Sequence, residues 1–247
     1  MSCYTQHFET KVTETPLSER LPYLALAVLS LAAAGATAIL SFSQRNFFRP
    51  YFANLNPLLT VALVTVLGFV SLGFLQSRGW FEIYAARKTF RGVGVSAAIA
   101  TLFAIETVFA DLIIRFPRDL NVLLPQSLLF YPAIGYVVEV CFHALPLVLL
   151  LAVLGPVFMK PNKNSLIWSC VFLASLIEPV VQMRIGFSQK LSSWAEAYVG
   201  LHLFAFNLLQ LYVFRRYNFV SMYGFRLVYY LYWHILWGYF RLDWLFS

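Results

Sequence analysis

The chain has little charge. Asp, Glu, Lys and Arg make up 12% of its 247 residues, about half the share of an ordinary soluble domain, so a fully solvated surface is excluded. Cysteine is nearly missing too. Cys3, Cys141 and Cys170 are the three present, they form no C-x-x-C pair, and two of them fall in apolar segments, which argues against a disulfide framework and a thiolate metal site. No glycine-rich phosphate loop, internal repeat or low-complexity tract is found. The net charge of +7 is scattered in pairs such as Arg87-Lys88 and Arg215-Arg216, so there is no extended basic patch of the kind nucleic acid needs. Pairs of this sort flank membrane spans and touch anionic headgroups.

What the chain has is apolar length. Hydrophobic residues make up 60% of it, and a crossing of the hydrocarbon core takes ~20 of them in a row. Runs at 22–43, 58–77, 93–114, 128–158, 165–183, 193–214 and 219–240 predict an all-α polytopic bundle of seven or eight membrane helices, in one membrane domain over 1–247 with a polar tail at 1–20. Helices are expected because they satisfy their own backbone hydrogen bonds in lipid. The fourth run is long for one crossing, and Pro132 and Pro146 are places for it to kink. The first begins near Leu21 after a mixed-charge segment, and reads as a retained span rather than a cleaved signal. Residues 78–92, RGWFEIYAARKTFRG, read either as a helix lying among headgroups or as an ordinary basic loop. Lys and Arg are more numerous on the side carrying the N-terminus, so that end is expected in the cytoplasm of a cell whose plasma (inner) membrane holds the chain.

Against this background the ionisable residues inside the runs stand out, since each costs several kcal/mol at bilayer depth unless paired or lining a polar cavity. VEVCFHALP puts Glu139 and His143 at i and i+4, on one helix face. Glu178 precedes Pro179, with Gln182 one turn on, and His234 lies in the last run with Arg226 two turns earlier. Two carboxylates and two imidazoles on three helices fit two chemistries. Glu139, His143, Glu178 and His234 are the set from which a bundle holds one divalent, zinc-like metal. Alternatively one desolvated carboxylate activates water against a peptide carbonyl while His234 donates to the oxyanion. The bland alternative is that these groups merely satisfy one another or a neighbouring helix. Elsewhere, Asp111 with Arg115 one turn away reads as a structural ion pair, Glu106 lies in the same run, and His202 with Asn207 reads as cavity or interhelical glue; His7 lies in the tail.

VEVCFHALPLVLL, FLASLIEP (172–179) and HILWG (234–238) resemble, in order and spacing, the three motifs E-E-x-x-x-R, F-x-x-x-H and H-x-x-x-N of the CPBP family of intramembrane endopeptidases, which includes the type II CAAX prenyl proteases and bacteriocin-processing proteins. The resemblance covers about residues 125 to 240. Val138 stands at the first glutamate, His143 at the arginine, Glu178 at the second-motif histidine and Gly238 at the final asparagine; Glu139 and His234 carry over directly. The resemblance implies cleavage of a membrane-embedded or lipidated peptide, with Glu139 as base, Glu178 and His143 tuning it, and His234 in the oxyanion hole. It leaves open a metal-dependent site, a non-catalytic scaffold for a partner protein or lipidated peptide, and a proton-coupled transporter.

Overall fold

The computed structural model describes residues 16–42, 47–52, 54–184 and 192–247. Cys3 and His7 lie outside them. Among the described residues the ordered elements are all helical. They are α1 (Pro16–Ser41), the single turn α2 (Arg49–Phe52), α3 (Pro57–Ser77), α4 (Ala86–Ile114), α5 (Ser127–Val138), a π-helical segment π1 (Glu139–Ala144), α6 (Leu145–Ser175) and α7 (Ile177–Gln182). The chain ends with α8 (Ser193–Arg216), α9 (Phe219–Tyr230), a second π-helical segment π2 (Leu231–Trp237) and α10 (Gly238–Leu245).

Among the described residues six stretches are long and apolar enough to cross a membrane: Glu19–Ser41, Pro57–Ser77, Ala86–Ile114, Ser127–Pro156, Asn162–Gln182 and Ser193–Arg216. The chain is thus an all-α bundle of multi-pass membrane character, with six such helices where seven or eight were expected. The run 219–240 is helical, through α9 and π2 into α10, but Arg226, His234 and its tyrosines dilute its apolarity. The lipid-facing stripes are plain: Leu59, Leu63, Val66 and Val70 on α3, and Leu102, Ile105, Phe109 and Ile113 on α4, are exposed at helical spacing.

Local chemistry sets the boundaries. Asn56 caps α3, its side-chain oxygen accepting from the Leu58 and Leu59 amides, with Pro57 at the first helical position. Of the stretch 78–92, residues 78–85 form a turn and 86–92 are the first turns of α4. Gly79 takes φ +63°, a value that favours glycine, and Trp80 and Phe81 are buried, Phe81 against Phe214 at 4.5 Å between ring centroids. The long fourth run does not break at Pro132 or Pro146; the helical break comes at Asn162 (φ −156°, ψ 82°), whose side chain accepts from the Ser165 amide to restart the helix. Pro146 still acts locally. It has no N–H to offer the carbonyl four residues back, and just upstream the helix widens to a π turn in which the Leu145 amide reaches the Val140 carbonyl.

α4 and α9 pack backbone to backbone. A Cβ on Gly92 would collide with Ser221 and with Tyr217, and the buried Asn218, which caps α9 by accepting from the Ser221 amide at 3.0 Å, donates to Thr89 Oγ1 at 2.7 Å. This close pairing fixes the face that α9 and π2 turn toward α5, π1 and α7, where the polar residues collect.

Candidate functional site

Arg226, on α9, is the centre of the polar interior. Its Nε donates to Glu139 Oε1 (2.5 Å); one terminal nitrogen donates to Glu178 Oε1 (3.3 Å) and Tyr230 Oη (3.2 Å); the other to Glu178 Oε2 (2.9 Å) and Gln210 Oε1 (2.8 Å). Five N–H groups meet five acceptors, so the guanidinium is saturated. Its plane also lies against the Phe206 and Tyr230 rings, at 5.5 and 5.7 Å. Gln210 returns a donor to Glu139 Oε1 at 2.5 Å, and Glu139 Oε2 touches His143 Nδ1 at 2.9 Å. His143 Nε2 is 4.0 Å from Glu178 Oε2. Glu139, His143 and Gln210 are wholly buried, Glu178 and Arg226 nearly so. One guanidinium faces two carboxylates, so the cluster is electrically neutral only when it holds one further proton, on His143 or on a carboxyl.

The sequence-derived residues therefore divide. Glu139, His143 and Glu178 converge on Arg226. His234 does not join them: it stands on π2, stacked on Tyr131 (4.6 Å, 19°), with Nδ1 2.6 Å from Asn121 Oδ1. The four make no ligand shell, because Arg226 stands between the two carboxylates and binds oxygens of both, and His234 lies apart. Among the described residues no group of three or more His, Cys, Asp or Glu is arranged to hold a metal ion.

Glu178 and His234 do share a cavity of about 110 Å³, room for several waters at ~10–15 Å³ each. Gln182, Arg226, Tyr230 and His234 line it from α7, α9 and π2; Thr107, Tyr198 and His202 from α4 and α8; Phe116, Leu120 and Trp233 close it. Glu139 and His143 are not part of this lining. With Nδ1 donating to Asn121, the His234 ring keeps Nε2 as an acceptor, and no protein hydrogen bond reaches that nitrogen among the described residues. Tyr230 Oη accepts from Arg226 and keeps its own proton for the cavity. Gln182 uses one amide N–H on Glu178 Oε1 (2.8 Å), which leaves the second. One free acceptor and two free donors thus face one small space.

Asp111 is a different case. Its partner is Arg241 on α10 rather than Arg115, which is exposed and adopts the left-handed conformation (φ 54°) just past α4. Asp111 accepts from Arg241 at 2.7 and 2.8 Å, from Trp237 Nε1 at 2.7 Å and from the Phe116 amide at 2.9 Å, while Arg241 also donates to the Phe116 and Pro117 carbonyls. The amide of Asn207 is buried without a hydrogen-bond partner.

Gln210, Asn121 and Tyr230 were not singled out from the sequence. Gln210 had a signal, a lone amide in the apolar run NLLQLYVF. Asn121 had none, being a loop residue that reaches His234 only through the fold. A Cβ on Gly238 would come within 2.9 Å of Asn121 Nδ2, so the glycine is what admits that carboxamide.

No family model, no curated protein and no solved structure matches the chain.

Proposed function

We propose that the chain is a divergent CPBP-like intramembrane endopeptidase and that the cavity beside Glu178 and His234 is its reaction chamber. The observation that carries this reading is the pairing of an unpartnered His234 Nε2 with two spare donors, on Tyr230 and Gln182, in one cavity of about 110 Å³ within the bundle. A base and an oxyanion-binding pair are what hydrolysis of an amide requires. A water bound at Nε2 gives its proton to that nitrogen as its oxygen adds to the carbonyl carbon. Tyr230 and Gln182 receive the negative oxygen, and the C–N bond breaks as the nitrogen gains a proton. The Glu178–Arg226 pair forms the charged wall, and Glu139 with Gln210 holds Arg226 from behind.

Two departures from the family pattern also support the reading, because the chemistry they remove returns from other elements. His143 stands where the first motif has arginine, and Arg226 brings a guanidinium to Glu139 from α9. Gly238 stands where the third motif has asparagine, and Asn121 brings a carboxamide to His234 across that glycine. In this reading the substrate is a membrane-embedded or lipidated peptide delivered through the bilayer, and the chain lies in the inner membrane with its N-terminus in the cytoplasm.

The test uses the full chain in proteoliposomes with a fluorogenic peptide carrying an isoprenyl thioether near its C-terminus. His234→Gln is expected to slow release by roughly 100-fold or more, the usual worth of a general base, and Tyr230→Phe by about 100-fold, that of an oxyanion donor. Both variants should keep the wild-type elution volume and melting profile. Release that is unchanged in both variants would remove the cavity from the mechanism.

A further inference from the structure

The cavity contains a second imidazole. His202, on α8, directs Nδ1 at Glu106 Oε2 (2.8 Å), while Nε2 lies 3.2 Å from Tyr229 Oη and 3.3 Å from Thr107 Oγ1. Thr107, His202 and Tyr229 all line the cavity. Tyr198 donates to the other oxygen of Glu106. Glu106 is eight residues from the end of α4, about 12 Å along the helix axis, yet its side chain is 48% exposed on the outside of the bundle. A carboxylate facing out at that depth is costly unless a specific partner holds it, and His202 is that partner.

The two cavity imidazoles differ in what stands behind Nδ1. His234 has a neutral carboxamide there and His202 a carboxylate. A carboxylate on Nδ1 stabilises the doubly protonated ring and orients it, whereas a carboxamide fixes the neutral tautomer. Two like groups whose surroundings favour opposite protonation states are the usual form of an acid and base pair. Tyr229 neighbours both, its ring 6.0 Å from that of His202 and 6.3 Å from that of His234.

We propose that His202 is the general acid of the reaction, a catalytic residue that protonates the leaving amine from the α8 side of the cavity, and that Glu106, against its Nδ1, is the positioning residue that orients it. This rests on the hydrolase reading above. As water's oxygen adds to the carbonyl carbon, its proton goes to His234 Nε2; as the C–N bond breaks, the proton on His202 Nε2 passes to the nitrogen. The products are a carboxylic acid and an amine. One proton then passes from His234 to His202, by way of cavity water or the Tyr229 hydroxyl, and restores both rings.

A leaving group that needs no proton separates this role from a structural one. The full chain is given the lipidated peptide and, in parallel, the p-nitrophenyl ester of the same acyl segment. His202→Gln is expected to slow peptide cleavage by about 100-fold while leaving ester cleavage within about threefold of wild type. Glu106→Gln, which keeps an acceptor beside Nδ1 but not the charge, should show the same selective loss at about 10-fold and serves as the second variant if His202→Gln does not fold. Equal loss on both substrates, or no loss on the peptide, would overturn the assignment while leaving the hydrolase intact. A wild-type chain that cleaves neither substrate would overturn the hydrolase reading and this inference with it.

Discussion

Among the described residues two arginines are buried, and they are used differently. Arg241 meets one carboxylate, Asp111, and every polar atom of the pair finds a partner in α4, in the segment that follows it or on Trp237. Arg226 meets two carboxylates, is saturated by them and by Gln210 and Tyr230, and forms the wall of a cavity in which His234, Tyr230 and Gln182 keep hydrogen-bonding capacity to spare. Arg241 joins α10 to the end of α4. Arg226 holds two carboxylates in place beside a cavity with room for several waters. In lipid both arrangements satisfy the arginine, so burial alone does not reveal function; what does is the presence of neighbouring groups with capacity to spare.

The comparison can be broken at either arginine. The largest effect is expected at Arg226. Arg226→Met leaves two buried carboxylates facing one another, and the chain should lose at least the ~3–5 kcal/mol that removal of one partner costs a buried pair. Adding Glu139→Gln and Glu178→Gln should recover a substantial part of it, read by chemical denaturation in detergent. Recovery of nothing would mean that Arg226 acts through shape and not through charge. Asp111→Asn should cost a smaller amount, about 3 kcal/mol, and the apolar replacement Asp111→Leu with Arg241→Met should return stability to near the wild type with peptide cleavage intact. Cleavage lost in that folded double variant would make the Asp111 pair part of the working site and erase the distinction. The smallest effect belongs to Asn121. Asn121→Ala frees the His234 ring without removing it, and should lower turnover by roughly 10- to 100-fold with little change in melting temperature.

The fold was legible where hydrophobicity alone decides it. Runs of apolar residues located all six membrane-length helices to within a few residues, apart from α4, whose basic first turns at Ala86–Arg91 extend it beyond the apolar run. The last segment, read from its length as a seventh span, is helical but less apolar than the other six, because it carries Arg226 and His234. The site was legible only in part, for a physical reason. A glutamate or histidine in an apolar run announces itself by its desolvation cost, and so Glu139, His143, Glu178 and His234 stood out. Sequence periodicity pairs residues along one helix, however, and the contacts that matter run across helices: Arg226 to Glu139, Asn121 to His234, Glu106 to His202. Asp111 illustrates this best. Arg115 is its neighbour by spacing, but the chain leaves α4 in a left-handed turn there and Arg241 arrives from 130 residues away.

The account stands or falls on whether water is added to a peptide bond in the cavity beside His234. The direct measurement is cleavage of the isoprenylated peptide by the wild-type chain in H2-18O, with the products weighed by mass spectrometry. The prediction is one labelled oxygen in the newly formed carboxyl group, at a rate that falls with His234→Gln. Peptide recovered intact and unlabelled from the folded wild-type protein, or label entering just as fast in His234→Gln, would contradict it.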